Sequence, residues 1–213
     1  MPTEKSFKLP TKRKNLFLRV TQGHFATSHS HTNYYIDVTT QKTRLAEAKA
    51  VAQELLPYYD STTIVDTILC LDGTEVIATC LADELTRGGH INMNAHQTIY
   101  VMTPEHTVGS QLLLRDNMIP MVAGKNVLIL AASVTTGYTA LGAIQAVDYY
   151  GGRVVGISSI FATTDQVGGY TVRSCFNPKD LPDYASHAAH ECPQCKAGIK
   201  LDALINGHGY SKL

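Results

Sequence analysis

The sequence has no surplus of charge of either sign: Lys plus Arg and Asp plus Glu each number 18, and charged residues are only 17% of the 213. Without a net field, long-range attraction to nucleic acid or to an anionic membrane is not expected. An uninterrupted run of about twenty apolar residues is also missing, which argues against a membrane-spanning helix. The opening segment MPTEKSFKLPTKRKN is basic but lacks the apolar stretch of a secretory signal, so the expected location is the cytoplasm. Cysteine is scarce and odd in number, five in all, and Cys70 and Cys80 fall in segments that read as buried strand and helix. A disulfide framework is therefore not expected, and a reducing compartment is. No internal repeat or low-complexity tract is visible. The final Ser211, Lys212 and Leu213 spell a peroxisomal address, but three residues match by chance and read as an ordinary tail.

What is present is a chain with 44% hydrophobic residues, enough to build the core of one domain spanning 1–213. Residues 43–56 place Leu45, Ala48, Ala52 and Leu55 on one helical stripe, with Thr43 as the expected cap and Pro57 as the stop. Residues 62–70 are rich in β-branched and apolar side chains and predict a strand. It feeds a helix over 75–85 that Gly88 and Gly89 end. Strands follow at 98–103 and 126–130, then an apolar helix over 140–150 and a strand over 153–161. This alternation predicts an α/β fold with a mainly parallel sheet and helices on both faces, whose ligands bind beyond the carboxyl ends of the strands. The connection over 104–125 exceeds ordinary loop length and predicts a hairpin or flap. Residues 165–213 show one strand near 170–175 and otherwise little periodicity.

The segment VLILAASVTTGYT, residues 127–139, runs a strand into a small-polar turn that opens a helix. The first turn of a helix carries amide groups without intrahelical partners and about half a positive charge from the aligned peptide dipoles. Ser133, Thr135, Thr136 and Thr139 add hydroxyls, and Gly137 allows close approach of the main chain ahead of Tyr138. Together they predict a cradle for a phosphomonoester. A turn that merely caps an ordinary helix is the bland alternative, and the full strand, turn and helix context favours phosphate.

These residues resemble the signature of type I phosphoribosyltransferases, four apolar residues, two acids, two apolar residues and T-T-G-G-T. HTNYYID at 31–37 and CPQCKAGIKL at 192–201 are similar to segments of the orotate branch. The resemblance implies a small hood built from 1–42 and 165–213, Mg²⁺ as cofactor, a phosphosugar or nucleotide as small-molecule partner, and a homodimer. It implies that Asp72, Gly73 and Thr74 face pyrophosphate, helped by Arg115 and Lys125 from the long connection. Asp72 before Gly also fits ordinary turn chemistry. Where the family has the two acids that hold the ribose hydroxyls, this chain has Ala131 and Ala132. Losing two charge-assisted hydrogen bonds removes about 3–6 kcal/mol, in ground-state affinity or in the transition state.

Two functions follow. One is transfer of phosphoribosyl from phosphoribosyl pyrophosphate to a nitrogenous base, orotate by resemblance. The other is a binding or regulatory protein that keeps the 5′-phosphate loop without turnover. No residue stands out as general base. A purely structural protein with a vestigial pocket is a third reading, against which the TTGYT turn speaks.

His24, His29 and His31 crowd one segment, but no cysteine or carboxylate nearby completes a metal set, so they read as surface or pocket histidines. Tyr34 and Tyr35 are adjacent on a strand and point to opposite faces, so at most one stacks on a base. Cys192 and Cys195 form a C-x-x-C; with Cys175 and His187 or His190 they make a zinc set, or all remain free thiols.

Overall fold

Fourteen strands and five α-helices are formed among the described residues of the chain, which in this computed structural model are 5–10, 16–59, 61, 63–87, 93–95, 97–107, 111–206 and 209–213. In chain order the first part comprises β1 (Lys5–Pro10), β2 (Phe17–Ala26), β3 (His31–Asp37), α1 (Thr39–Thr43), α2 (Leu45–Leu55), β4 (Thr67–Cys70) and α3 (Glu75–Thr86). The middle adds β5 (Tyr100–Met102), β6 (Glu105–His106), β7 (Leu112–Leu113), β8 (Asn126–Val134), α4 (Tyr138–Tyr149) and β9 (Arg153–Ala162). The last part adds β10 (Gln166–Val167), β11 (Tyr170–Phe176), β12 (Ser186–His187), α5 (Pro193–Lys196), β13 (Ala203–Asn206) and β14 (Gly209–Lys212).

The main sheet has the order β10-β11-β9-β8-β4-β5, parallel throughout except for the edge pair β10 and β11. β8 is central and buried on both faces. Leu128 and Leu130 enter the core under α2 and α3, while Val127 and Ile129 enter the opposite core against α4. Period-2 alternation thus feeds two apolar layers, each large side chain contributing roughly 1.5–3 kcal/mol by its burial. Helices lie on both faces, as the strand and helix alternation predicts.

A second sheet, order β12-β3-β2-β13-β14 with β1 on β2, joins the two ends of the chain. Residues after 165 are therefore more regular than their weak periodicity implies, because their strands are stabilised by pairing with β2 and β3 rather than by a local pattern. The long connection contains the β6–β7 hairpin.

Several boundaries differ from expectation. β8 extends four residues past Leu130 because its ladder with β9 continues to Val134 opposite Ala162. Thr43 does not cap α2: it ends α1, its hydroxyl donates to the Thr39 carbonyl, and Arg44 takes the cap position. Leu45 is 58% exposed, and the stripe that faces the core is Ala48, Val51, Ala52 and Leu55. The expected stop at Gly88 and Gly89 lies outside the described residues. No helix among the described residues is long and apolar enough to cross a membrane.

Candidate functional site

The carboxyl ends of β4 and β8 open beneath the second sheet into a cavity of about 280 Å³. Ser133, Thr135, Thr136 and Thr139 line it from the turn after β8, and Asp72 lines it from the turn after β4. The opposite wall comes from Thr27, Ser28, His29 and Ser30 in the β2–β3 loop. Two turns 60 residues apart in sequence share one cavity because β4 and β8 are neighbours in register, with Cys70 beside Leu130.

Gly137 makes the bend. Its φ of +80° is left-handed, and an added Cβ would stand 2.9 Å from Val167 Cγ2, so conformation and space both require glycine. Gly137 is the residue that precedes α4, so the first-turn amides of this twelve-residue helix begin beside the threonines that line the cavity. Tyr138 takes no part in the lining; its side chain is 65% exposed and its ring lies 5.3 Å from that of His29.

The two alanines differ in their surroundings. Ala132, itself only 2% exposed, lines the cavity, whereas Ala131 is buried in the core against α4 with Ile129, Val134 and Ile144. Of the two positions, only Ala132 is among the residues that line the cavity.

On the β4 side, Asp72 and Gly73 have φ of +57° and +78°. This tight turn directs the Asp72 carbonyl at Lys42, whose Nζ donates to it at 2.8 Å. Lys42 also lines the cavity. Burial lowers its pKa below the ordinary lysine range, opposed by the Asp72, Glu75 and Asp37 carboxylates. It is the cation that reading the sequence missed; nothing local marks it, since it lies on the five-residue helix α1. That helix is held by Gln41, buried beneath β2, and by the Arg19 guanidinium, which meets the buried Glu47 at 3.2 Å and also bonds the Thr40 hydroxyl.

Three expected pyrophosphate groups stand elsewhere. The Thr74 hydroxyl is buried and donates to the Leu71 and Leu130 carbonyls, tying the turn to β8. Arg115 is exposed and pairs with Glu105 at 2.6 Å across the β6–β7 hairpin. Lys125 precedes β8 at its amino end, on the order of 25 Å of strand from Ser133 at about 3.3 Å per residue.

The aromatic pair divides as strand geometry requires. Tyr34 packs in the main core, stacks near Tyr184 and donates its hydroxyl to the Pro182 carbonyl, while Tyr35 packs with Phe25 and Tyr210. Both also border the cavity. Tyr35 is pushed up to about 12, chiefly by burial.

The cysteine set is corrected as well. Cys175 lies on β11, packed against the main core, and is not part of the group formed by Cys192 and Cys195 at the start of α5. His187 pairs with β3 through backbone register and His190 is exposed beside Glu191. The residues that do stand with the two cysteines are His24 and His31.

No protein-family model matches the sequence. The orotate phosphoribosyltransferase of Sulfurimonas denitrificans is 31% identical over 86 residues, which cover 35% of this chain and 43% of that protein. The match thus spans less than half the length of that relative. Among solved structures, the orotate phosphoribosyltransferase of Mycobacterium tuberculosis in complex with Fe(III) dicitrate superposes with a TM-score of 0.54 at 19% identity, covering 77% of this chain and 92% of that one. Leishmania donovani UMP synthase gives a TM-score of 0.53 at 22% identity, covering 76% of this chain and 34% of that one. The strand order, the paired turns and these likenesses agree: the chain has the type I phosphoribosyltransferase fold and resembles the orotate phosphoribosyltransferases.

Proposed function

We propose that this chain is a phosphoribosyltransferase-like protein that transfers the phosphoribosyl group of phosphoribosyl pyrophosphate to a nitrogenous base, orotate by resemblance. The observation that carries the reading is the opening of the Thr135–Thr139 turn into the same cavity as Asp72 and Lys42. The turn takes the 5′-phosphate on main-chain amides and hydroxyls. Lys42 meets the pyrophosphate, and the aromatic wall of Tyr34, Phe161 and Tyr184 takes the base. Mg²⁺ fits this donor set: it binds through one or two carboxylates plus substrate phosphates, and among the described residues that line the cavity Asp72 is the one with a carboxylate. When bound, the ion would neutralise the leaving pyrophosphate. A homodimer belongs to the same reading.

A second reading is favoured by Ala132. With a methyl group where the resemblance places a sugar-holding acid, the cavity suits a 5′-phosphorylated ligand that is bound but not turned over. One experiment separates them. Purified chain with orotate, phosphoribosyl pyrophosphate and Mg²⁺ is expected to form orotidylate faster than a Thr136→Ala variant. Equal rates for the two proteins, together with tight binding of a nucleoside monophosphate by calorimetry, would leave the binding reading standing alone.

A further inference from the structure

Beyond the cavity, the His24 and His31 rings converge on Cys192 and Cys195, and one ligand atom from each lies within 4.8 Å of all the others. The individual separations are His24 Nε2 to His31 Nδ1 3.3 Å, His24 Nε2 to Cys192 Sγ 3.4 Å, His24 Nε2 to Cys195 Sγ 3.7 Å and His31 Nδ1 to Cys195 Sγ 3.2 Å. A tetrahedral zinc ion with bonds of about 2.0–2.1 Å to nitrogen and 2.3 Å to sulfur has edges of roughly 3.3 Å between nitrogens and 3.6 Å between nitrogen and sulfur. Four of the six separations match those edges closely, and the remaining two are no longer than 4.8 Å. We propose that His24, His31, Cys192 and Cys195 bind a structural zinc ion.

Three features of the surroundings fit a metal better than four free side chains. His24 Nδ1 lies 3.0 Å from the Ile199 carbonyl oxygen, which only accepts, so the ring hydrogen sits on Nδ1 and the Nε2 lone pair is aimed into the cluster. A β-bulge between Gln22 and Phe25 breaks the β2–β3 register there and lets His24 and Phe25, consecutive residues, both be buried. Such a bulge re-aims a side chain at the expense of ladder bonds. Finally, two thiolates cancel the charge of a dication, so the ion can sit beside the buried His24 and Cys192 without leaving an unpaired charge.

All four corners are protein atoms, which makes the site closed and structural rather than catalytic. It joins the β2–β3 hairpin to a C-x-x-C turn 168 residues away from His24. The loop between its two histidines is the one that walls the cavity with Thr27, Ser28, His29 and Ser30. The ion therefore sets the position of that wall. This inference is independent of the proposed reaction, because its readouts require no substrate.

The test is elemental analysis of the full chain purified under reducing conditions, before and after zinc addition and desalting. About one equivalent of zinc is expected, with loss of most of it in Cys192→Ser/Cys195→Ser and retention in Cys175→Ser. On the unmodified chain, cobalt added to chelator-stripped protein is expected to show tetrahedral thiolate absorption, and the chelator to lower Tm. Zinc below about a tenth of an equivalent after addition, with no such cobalt absorption, overturns the site. Equal loss from Cys175→Ser would overturn this ligand set. If the double variant fails to fold, the cobalt spectrum and the chelator shift on unmodified protein decide the matter.

Discussion

Lys42 Nζ reaches across from helix α1 and donates to the main-chain carbonyl of Asp72 at 2.8 Å, bringing a cation from the N-terminal part of the chain to the turn after β4. Because both residues line the cavity, this bond places positive charge where the resemblance implies pyrophosphate.

Lys42→Gln is therefore expected to weaken phosphoribosyl pyrophosphate by roughly tenfold to a hundredfold, the worth of one charge-assisted bond, and ribose 5-phosphate much less. Since burial lowers the Lys42 pKa, unliganded protein is expected to lose pyrophosphate affinity on going to alkaline pH earlier than an ordinary lysine would dictate. Calorimetry over a pH series checks both. Arg115→Ala is expected to leave both ligands within about twofold, because its partner is Glu105 on the exposed hairpin.

Gly137→Ala is expected to destabilise the chain by about 1–3 kcal/mol, combining left-handed strain with the contact at Val167, and to abolish phosphate binding. Gly142→Ala is the control. It lies inside α4 with nothing within 4 Å of the added methyl, so stability is expected to rise by about 0.5–1 kcal/mol. Urea denaturation measures the pair.

The two alanines are expected to respond oppositely to an acid. Ala132→Asp faces the cavity and should fold, with Mg²⁺-dependent affinity for phosphoribosyl pyrophosphate rising at least tenfold by regaining about 1.5 kcal/mol or more. Ala131→Asp buries a carboxyl among Ile129, Val134 and Ile144 and should cost roughly 3 kcal/mol or more. Equal melting temperatures for the two variants would contradict the different surroundings assigned to the two positions.

Tyr59 supplies a pH-dependent stability term away from the site. Its hydroxyl shares a 2.7 Å hydrogen bond with Ser158 Oγ, and burial pushes it up to about 12 from 10.0. The folded state thus keeps the proton longer than the unfolded chain. Its contribution is intact below pH 10 and is lost as the pH rises from there toward 12. Tyr59→Phe should cost about 1 kcal/mol at neutral pH and make the alkaline loss shallower in denaturation curves taken across that window.

Much of the fold was legible because it is written in local periodicity. The alternation in residues 126–130 and the apolar helix that follows required no distant partner to be recognised. What differs from expectation depended on neighbours: where β8 ends was decided by pairing with β9, and Leu45, which fits the helical stripe, is exposed at the first position of α2. The closing segment looked irregular because its strands are short and receive their hydrogen bonds from β2 and β3.

The candidate site divides along the same line. The turn expected to take phosphate uses consecutive amides and hydroxyls, so its chemistry is contiguous in sequence and is read from the strand, turn and helix context of residues 127–139. Lys42 and the His24, His31, Cys192 and Cys195 tetrad could not be announced that way, since each gains meaning only from side chains far along the chain. Chain order determines which groups are available and which short segments bend or coil; the packing of two sheets decides which distant groups meet, because hydrogen bonds and metal bonds act over about 2–4 Å and ignore separation in sequence.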